Sequence, residues 1–294
     1  MSSPEVVALM LADGRLPTGG HTQSAGLEPA VRAGLGADGK QLADVAAYAR
    51  DRLRTVTRVE AATAVLARHV VTLDAPSPSR GFLLQNAPAA DRNPRLSVDS
   101  AEGEVGANAG GGAGDPAGPA GAAGPADAAG AAGAAGAAGA AAGRSGLAVV
   151  EGAWAARTPS QVLRGVSRRQ GRAYLRLAAR VWPDVLRYLK RDSEVARPVV
   201  VGVISGVTGL SAEQVARLVA YDDVQTVVAA SLKLLPVDPA DAASWLAGLH
   251  DDIERLVTDV APLTEIDKMP ADGAPLIDVF AQNHANERMR LFHA

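Results

Sequence analysis

The chain has 294 residues, enough for one or two ordinary domains, and its 48% hydrophobic and 21% charged residues are typical of a globular protein. A formal net charge of −3 gives no basic excess for a nucleic-acid backbone, and no uncharged apolar run reaches the roughly 18–20 residues that cross a bilayer. There is no cysteine, hence no disulfide or thiolate metal site, and no basic region precedes the first apolar stretch, so the expected location is the cytoplasm.

In chain order, the first informative segment is Leu11 to Glu28, LADGRLPTGGHTQSAGLE. Arg15-Leu16-Pro17 followed by Thr18-Gly19-Gly20 requires a turn with at least one positive φ. Ser24 is placed to cap a short helix beginning around Gly26, Leu27 and Glu28. Taken alone, this is a structural turn. Next, Leu42, Val45, Ala49, Leu53, Val56, Thr63, Leu66 and Val70 recur at three- and four-residue steps and predict one long amphipathic helix. Residues 101–143 are almost entirely Ala and Gly, with AAG triplets from Ala128 to Gly139. The triplet register breaks at Ala142 and proline is too scarce for collagen, while each glycine costs a helix about 1 kcal/mol relative to alanine. With nothing large to bury, residues 76–146 are expected to form a disordered insert between 1–75 and 147–294, which together make one discontinuous domain.

Downstream, Val162 to Val181 predicts a helix started by Thr158-Pro159-Ser160 and stopped by Pro183. Its arginines Arg164, Arg168, Arg169, Arg172 and Arg176 read as a solvated face. Asp184 to Lys190 suggests a short helix. Val199 to Val207 has strand-like composition but no second strand to satisfy its backbone, so a buried helix with small residues for close packing is expected. Ser211 and Gln214 form a capping box opening a helix to about Leu235, where Pro236 ends it. Asp238-Pro239 opens another, with Trp245, Leu246, Leu249, Ile253, Leu256, Val257 and Val260 on one face. A last helix is predicted from Leu276 to about Arg288. The fold class is therefore all-α, a single helical-bundle domain carrying a disordered Ala/Gly-rich insert.

No catalytic set emerges. GxxxxGK[ST] and GxSxG are absent, and Gly19-Gly20-His21 lacks the spacing and preceding strand of a dinucleotide fingerprint. The histidines (His21, His69, His250, His284, His293) are scattered without HExxH spacing. His284 and Glu287 suit a solvated helical pair. Asp222 and Asp223 point about 100° apart on a helix, so they form no catalytic dyad; one buried and one exposed is the expectation. No catalytic and no metal-ligating residue is assigned.

LADGRLPTGGHTQSAGLE nevertheless closely resembles the N-terminal signature of UreF-type urease accessory proteins, matching at Leu11, Asp13, Leu16, Pro17, Gly19, Gly20, Ser24, Gly26, Leu27 and Glu28. Three further segments agree in order: SRRQGRAYLRL (Ser167 to Leu177), the block from Arg197 to Asp238, and the RLF tail of Arg290, Leu291 and Phe292. The chain departs from the family pattern at Gly14, His21 and Gln23, and the Ala/Gly insert lies outside it. The resemblance implies an all-helical, dimeric, non-catalytic scaffold in the cytoplasm. Such a scaffold bridges a UreD/UreH-type accessory protein and a UreG-type GTPase, and the assembly loads nickel into the urease apoprotein. No cofactor, nucleic acid or membrane is implied, and no tight nickel site on this chain alone. It places partner contacts at Leu16, Pro17, Gly19, Gly20, Ser24, Gly26, Leu27 and Glu28 and in the tail Arg290, Leu291 and Phe292. Gln170, Gly171, Arg172, Asp222, Asp223 and Lys233 are expected on a dimer or partner surface. An alternative is a regulator that activates or checks the GTPase, with Arg15, Arg172 or Arg290 as the candidate arginine.

Overall fold

The computed structural model describes residues 3–35, 43–74 and 125–292, and among these every regular element is helical. The helices are α1 (Pro4–Leu11), α2 (Leu27–Arg32), α3 (Ala43–Arg54), α4 (Val56–Asp74), α5 (Pro125–Ala156), α6 (Gln161–Val181), α7 (Arg197–Thr208), α8 (Ala212–Leu234), α9 (Pro239–Gly248), α10 (His250–Val260) and α11 (Pro275–Ala285). The helical domain consists of Met1–Ala75 and Ala138–Ala294; of the remaining unit, Pro76–Ala137, the described residues are the first turns of α5. No helix of the described residues is long and apolar enough to cross a membrane.

Local signals set several boundaries. The Ser160 hydroxyl accepts from the Leu163 amide and starts α6. Ser211 and Gln214 complete the capping box of α8, each side chain bonding the other's backbone N–H. Asp238 caps α9 through the Ala240 amide at 2.7 Å.

Helix α4 is the hub, packed on α7 and α8. Ala61, Ala62, Ala64, Val65, Leu66 and Ala67 of α4 are all buried, so small side chains carry the packing around the hub in a chain with few aromatics. The segment around Val199–Val207 is the buried helix expected from sequence. Gly202 and Gly206 of α7 lie against Ala64, Ala67 and Val71 of α4, where a Cβ at Gly202 would run into the Ala64 carbonyl.

The expected long helix of residues 42–70 is instead α3 and α4, separated at Thr55. On an unbroken helix Arg52 and Thr57 would point about 140° apart. With the break, both reach the same carboxylate of Asp223: the Arg52 guanidinium donates at 2.6 and 2.9 Å and the Thr57 hydroxyl at 2.6 Å. The helix expected from Pro239 to Val260 is likewise two, with fully buried Leu249 at the corner. The last helix stops at Ala285 rather than Arg288, which frees the tail to turn back.

Helix α5 has no counterpart in the sequence reading, which placed the insert's end at 146. Its buried residues Leu147, Val150 and Trp154 recur at helical spacing, and its glycines continue the packing backwards, Gly146 against Val70 and Gly143 against the Tyr188 ring. The rest of the insert, residues 76–124, lies outside the described residues.

Candidate functional site

The N-terminal motif is held by its own backbone. Gly19 takes φ +81°, the positive φ expected of the turn, and its carbonyl accepts from the Thr22 hydroxyl at 2.8 Å. A second reversal follows: Ala25 (φ 52°) and Gly26 (φ 78°) are both left-handed, and for Ala25 that conformation costs roughly 1–2 kcal/mol. The Tyr48 hydroxyl donates to the Ala25 carbonyl at 2.9 Å, and the Ser24 hydroxyl accepts the Glu28 amide at 3.3 Å. A Cβ at Gly26 would also press on the Tyr48 hydroxyl, so both conformation and space require glycine there. These contacts aim Glu28, on the first turn of α2, inward.

Glu28 is the meeting point of the two chain ends. Its side chain and that of His284 are each only 2% exposed, and His284 Nε2 lies 3.0 Å from the carboxylate. The amides of Leu291 and Phe292 each donate to it at 2.9 Å. Arg32 donates to it at 2.7 Å, to the Met289 carbonyl at 2.6 Å, and pairs with Glu287. Burial alone would raise the Glu28 carboxyl, but the Leu291 and Phe292 amides and His284 together hold it below the ordinary glutamate value. His284 is therefore not the solvated partner of Glu287 that its spacing suggested: it is buried against Glu28, and Glu287 turns to Arg32 instead. The tail is anchored rather than frayed.

Beside this anchor, the Phe292 ring is buried with the Lys233 ammonium 5.2 Å from its centre, and the same ammonium is 3.5 Å from the His21 carbonyl. Gly20, His21, Gln23, Asp222, Lys233 and Phe292 line a cleft of about 130 Å³. Turn, α8 and tail thus share one surface, on which Met289 (82% exposed), Arg290 and Leu291 stand free to solvent.

Beneath it runs a charge network. Arg197 pairs with Glu60 at 2.6 Å and with Asp222, while Arg52 pairs with Asp223. Burial pushes Asp222 up, against the pull of Arg197, whereas Arg52 overcomes the same burial to hold Asp223 below the usual carboxylate range. Asp223 is the buried member of the pair; Asp222 is partly exposed and also ion-paired, so neither is a free surface carboxylate. Gln170 lines an adjoining hollow of about 80 Å³ with Gln23, Arg52 and Arg197. Gly171 is buried against the Val195 carbonyl, and Arg172 pairs with Glu194 at the surface. Leu16 and Pro17 belong to the turn, and Leu27 is fully buried beside Glu28. The structure thus joins the N-terminal motif, Lys233, Asp222 and the tail, and sets Gly171 and Asp223 below the surface. Sequence reading missed Arg32 and Tyr48 and gave His284 the wrong partner; the i, i+4 spacing of Glu28 and Arg32 was the signal available for the first. Among the described residues no three His, Cys, Asp or Glu side chains are grouped to hold a metal ion.

A family model described as UreF matches residues 121–250. The chain is 31% identical to the urease accessory protein UreF of Mycolicibacterium vanbaalenii, over 97% of this chain and 96% of that one. It is 30% identical to the protein of the same description from Mycobacterium sp. (strain JLS), over 97% and 96% of the two chains, and 27% identical to that of Mycobacterium tuberculosis H37Rv, over 97% and 95%.

Proposed function

Because this chain belongs to the UreF family of urease accessory proteins, with a role in urease maturation, we propose that it acts there as a non-catalytic scaffold bridging a UreD/UreH-type accessory protein and a UreG-type GTPase. The observation that carries this reading is the anchoring of the C-terminal tail on Glu28. A single buried carboxylate fixes Leu291 and Phe292 against the N-terminal turn, and Met289, Arg290 and Leu291 are presented outward. An exposed arginine between two apolar side chains, on backbone already ordered, is a low-entropy binding surface. In this reading the chain works as a homodimer in the cytoplasm, and nickel travels through the assembly to the urease apoprotein without a tight site on this chain alone.

The test is co-expression with the two accessory partners, followed by affinity capture and size-exclusion chromatography with light scattering. The expected result is a complex containing the GTPase that is lost on removing 290–294 or on Gly20→Trp, together with isothermal titration that detects no submicromolar nickel site on the isolated chain. A complex that forms unchanged without the tail would refute the assignment of this surface.

One feature favours the second reading, a regulator of GTP hydrolysis. Arg290 is exposed with no hydrogen bond or ion pair among the described residues, whereas Arg15 is engaged by Asp13 and Arg172 by Glu194. Single-turnover hydrolysis by the GTPase, with wild-type chain and with Arg290→Ala, separates the two: a scaffold leaves the rate unchanged when binding is saturated, and an arginine finger changes it by orders of magnitude.

A further inference from the structure

Helix α6 carries Arg164, Arg168, Arg169, Arg172, Arg176 and Arg180 and not one acidic residue along Gln161–Val181, in a chain whose net charge is −3. Half of these arginines are consumed locally. Arg164 donates to the carbonyls of Thr158 and Pro159, Arg168 pairs with Glu151 and lies 5.8 Å from the Trp154 ring centre, and Arg172 pairs with Glu194. Arg169, Arg176 and Arg180 are exposed and have no hydrogen bond, ion pair or ring contact among the described residues. At 100° and 1.5 Å per residue these three lie within about 40° of one line along α6 and span about 16 Å. The face opposite the line is the one packed on α7, so the stripe looks straight outward.

We infer that this stripe is a docking surface for an acidic helix of a partner protein. Three permanent cations at spacings of seven and four residues match carboxylates at i, i+4 and i+11 on a helix running antiparallel to α6, and guanidinium groups take carboxylates in a two-pronged fork. A nucleic acid fits less well. The segment after α6 sets Asp184, Asp192 and Glu194 against Arg187, Lys190 and Arg191, and the chain as a whole carries a net charge of −3, so no basic excess continues the stripe for a long phosphate backbone to follow. The stripe is separate from the surface around Glu28, so it stands whether or not that surface binds the proposed partners. Exposed pairs are individually weak, and the surface contributes rate and partner choice more than tight affinity.

The experiment uses the full chain and three probes at low ionic strength. The first is a helical Ala/Gln peptide with glutamates at i, i+4 and i+11, the second the same composition with the glutamates distributed around the helix, and the third a 20-base-pair DNA duplex. The first peptide is expected to bind severalfold tighter than the second. The triple variant R169Q/R176Q/R180Q should weaken it roughly tenfold and flatten its salt dependence, while R54Q/R288Q, which removes exposed arginines elsewhere, leaves it unchanged. Circular dichroism verifies that each variant is folded. Equal binding of the two peptides, an unchanged affinity in the triple variant, the same loss in R54Q/R288Q, or tighter binding of the duplex would each overturn the inference.

Discussion

Glu28 accepts from two backbone amides and Arg32 while buried against His284, so its replacement probes the tail directly. Glu28→Gln keeps the shape but turns one acceptor into a donor facing N–H groups. It is expected to cost about 2 kcal/mol, the range for charge-assisted hydrogen bonds, and to speed exchange of the Leu291 and Phe292 amides far more than that of amides in α4. Because the folded carboxyl titrates below its ordinary value of 4.5, its ionised form favours the folded state. That contribution is complete above the ordinary value and is lost as pH falls through the lowered one. Urea denaturation of wild type and Glu28→Gln should therefore give a difference in stability that shrinks as pH falls below about 4.5. Asp223 makes a different prediction. Asp223→Ala strands the buried Arg52 guanidinium, and removing one partner of a buried pair costs about 3–5 kcal/mol; denaturation at neutral pH measures it, and a loss under 1 kcal/mol would mean that water reaches Arg52.

At the scale of elements, capping and close packing make opposite demands on the sequence. The capping box at Ser211 was legible because Ser and Gln three residues apart act within one turn, and Ser211→Ala is expected to cost about 1 kcal/mol. The character of α7 was legible by elimination, from valines without a partner strand and glycines that only close packing explains. Gly202→Ala should cost more than an alanine usually gains in a helix, since its Cβ meets the Ala64 carbonyl; a fall of about 1–3 kcal/mol is expected from overpacking and is read from the thermal midpoint. The break at Thr55 was not legible. The apolar period runs through it undisturbed, and what bends the chain is the convergence of Arg52 and Thr57 on Asp223, more than 160 residues away. Helix α5 was not legible for a simpler reason: each glycine of its Ala/Gly repeat weakens a helix locally, and only tertiary packing of Gly143, Gly146, Leu147, Val150 and Trp154 offsets that cost.

For the molecule as a whole, the two ends of the chain form one surface, so they should act together in stability. Removing 290–294 takes away the buried Phe292 ring and the amides that satisfy Glu28. Burial of one such ring is worth about 1.5–3 kcal/mol, which for a domain of this size lowers the midpoint by roughly 5 °C. A truncated chain that melts unchanged would mean that the tail adds nothing to the fold. The sequence by itself determined the helical class, most helix starts and the positive φ of the N-terminal turn, because each follows from contacts within a few residues, and its motifs marked the turn and the tail as two separate segments. Only the tertiary structure decided that turn and tail share one surface, that His284 faces Glu28 instead of Glu287, and that Asp223 is an internal anchor. Those outcomes rest on pairing between groups more than 160 residues apart, where burial makes an unmatched charge too costly to leave alone, and no local period or spacing records which partner will be there.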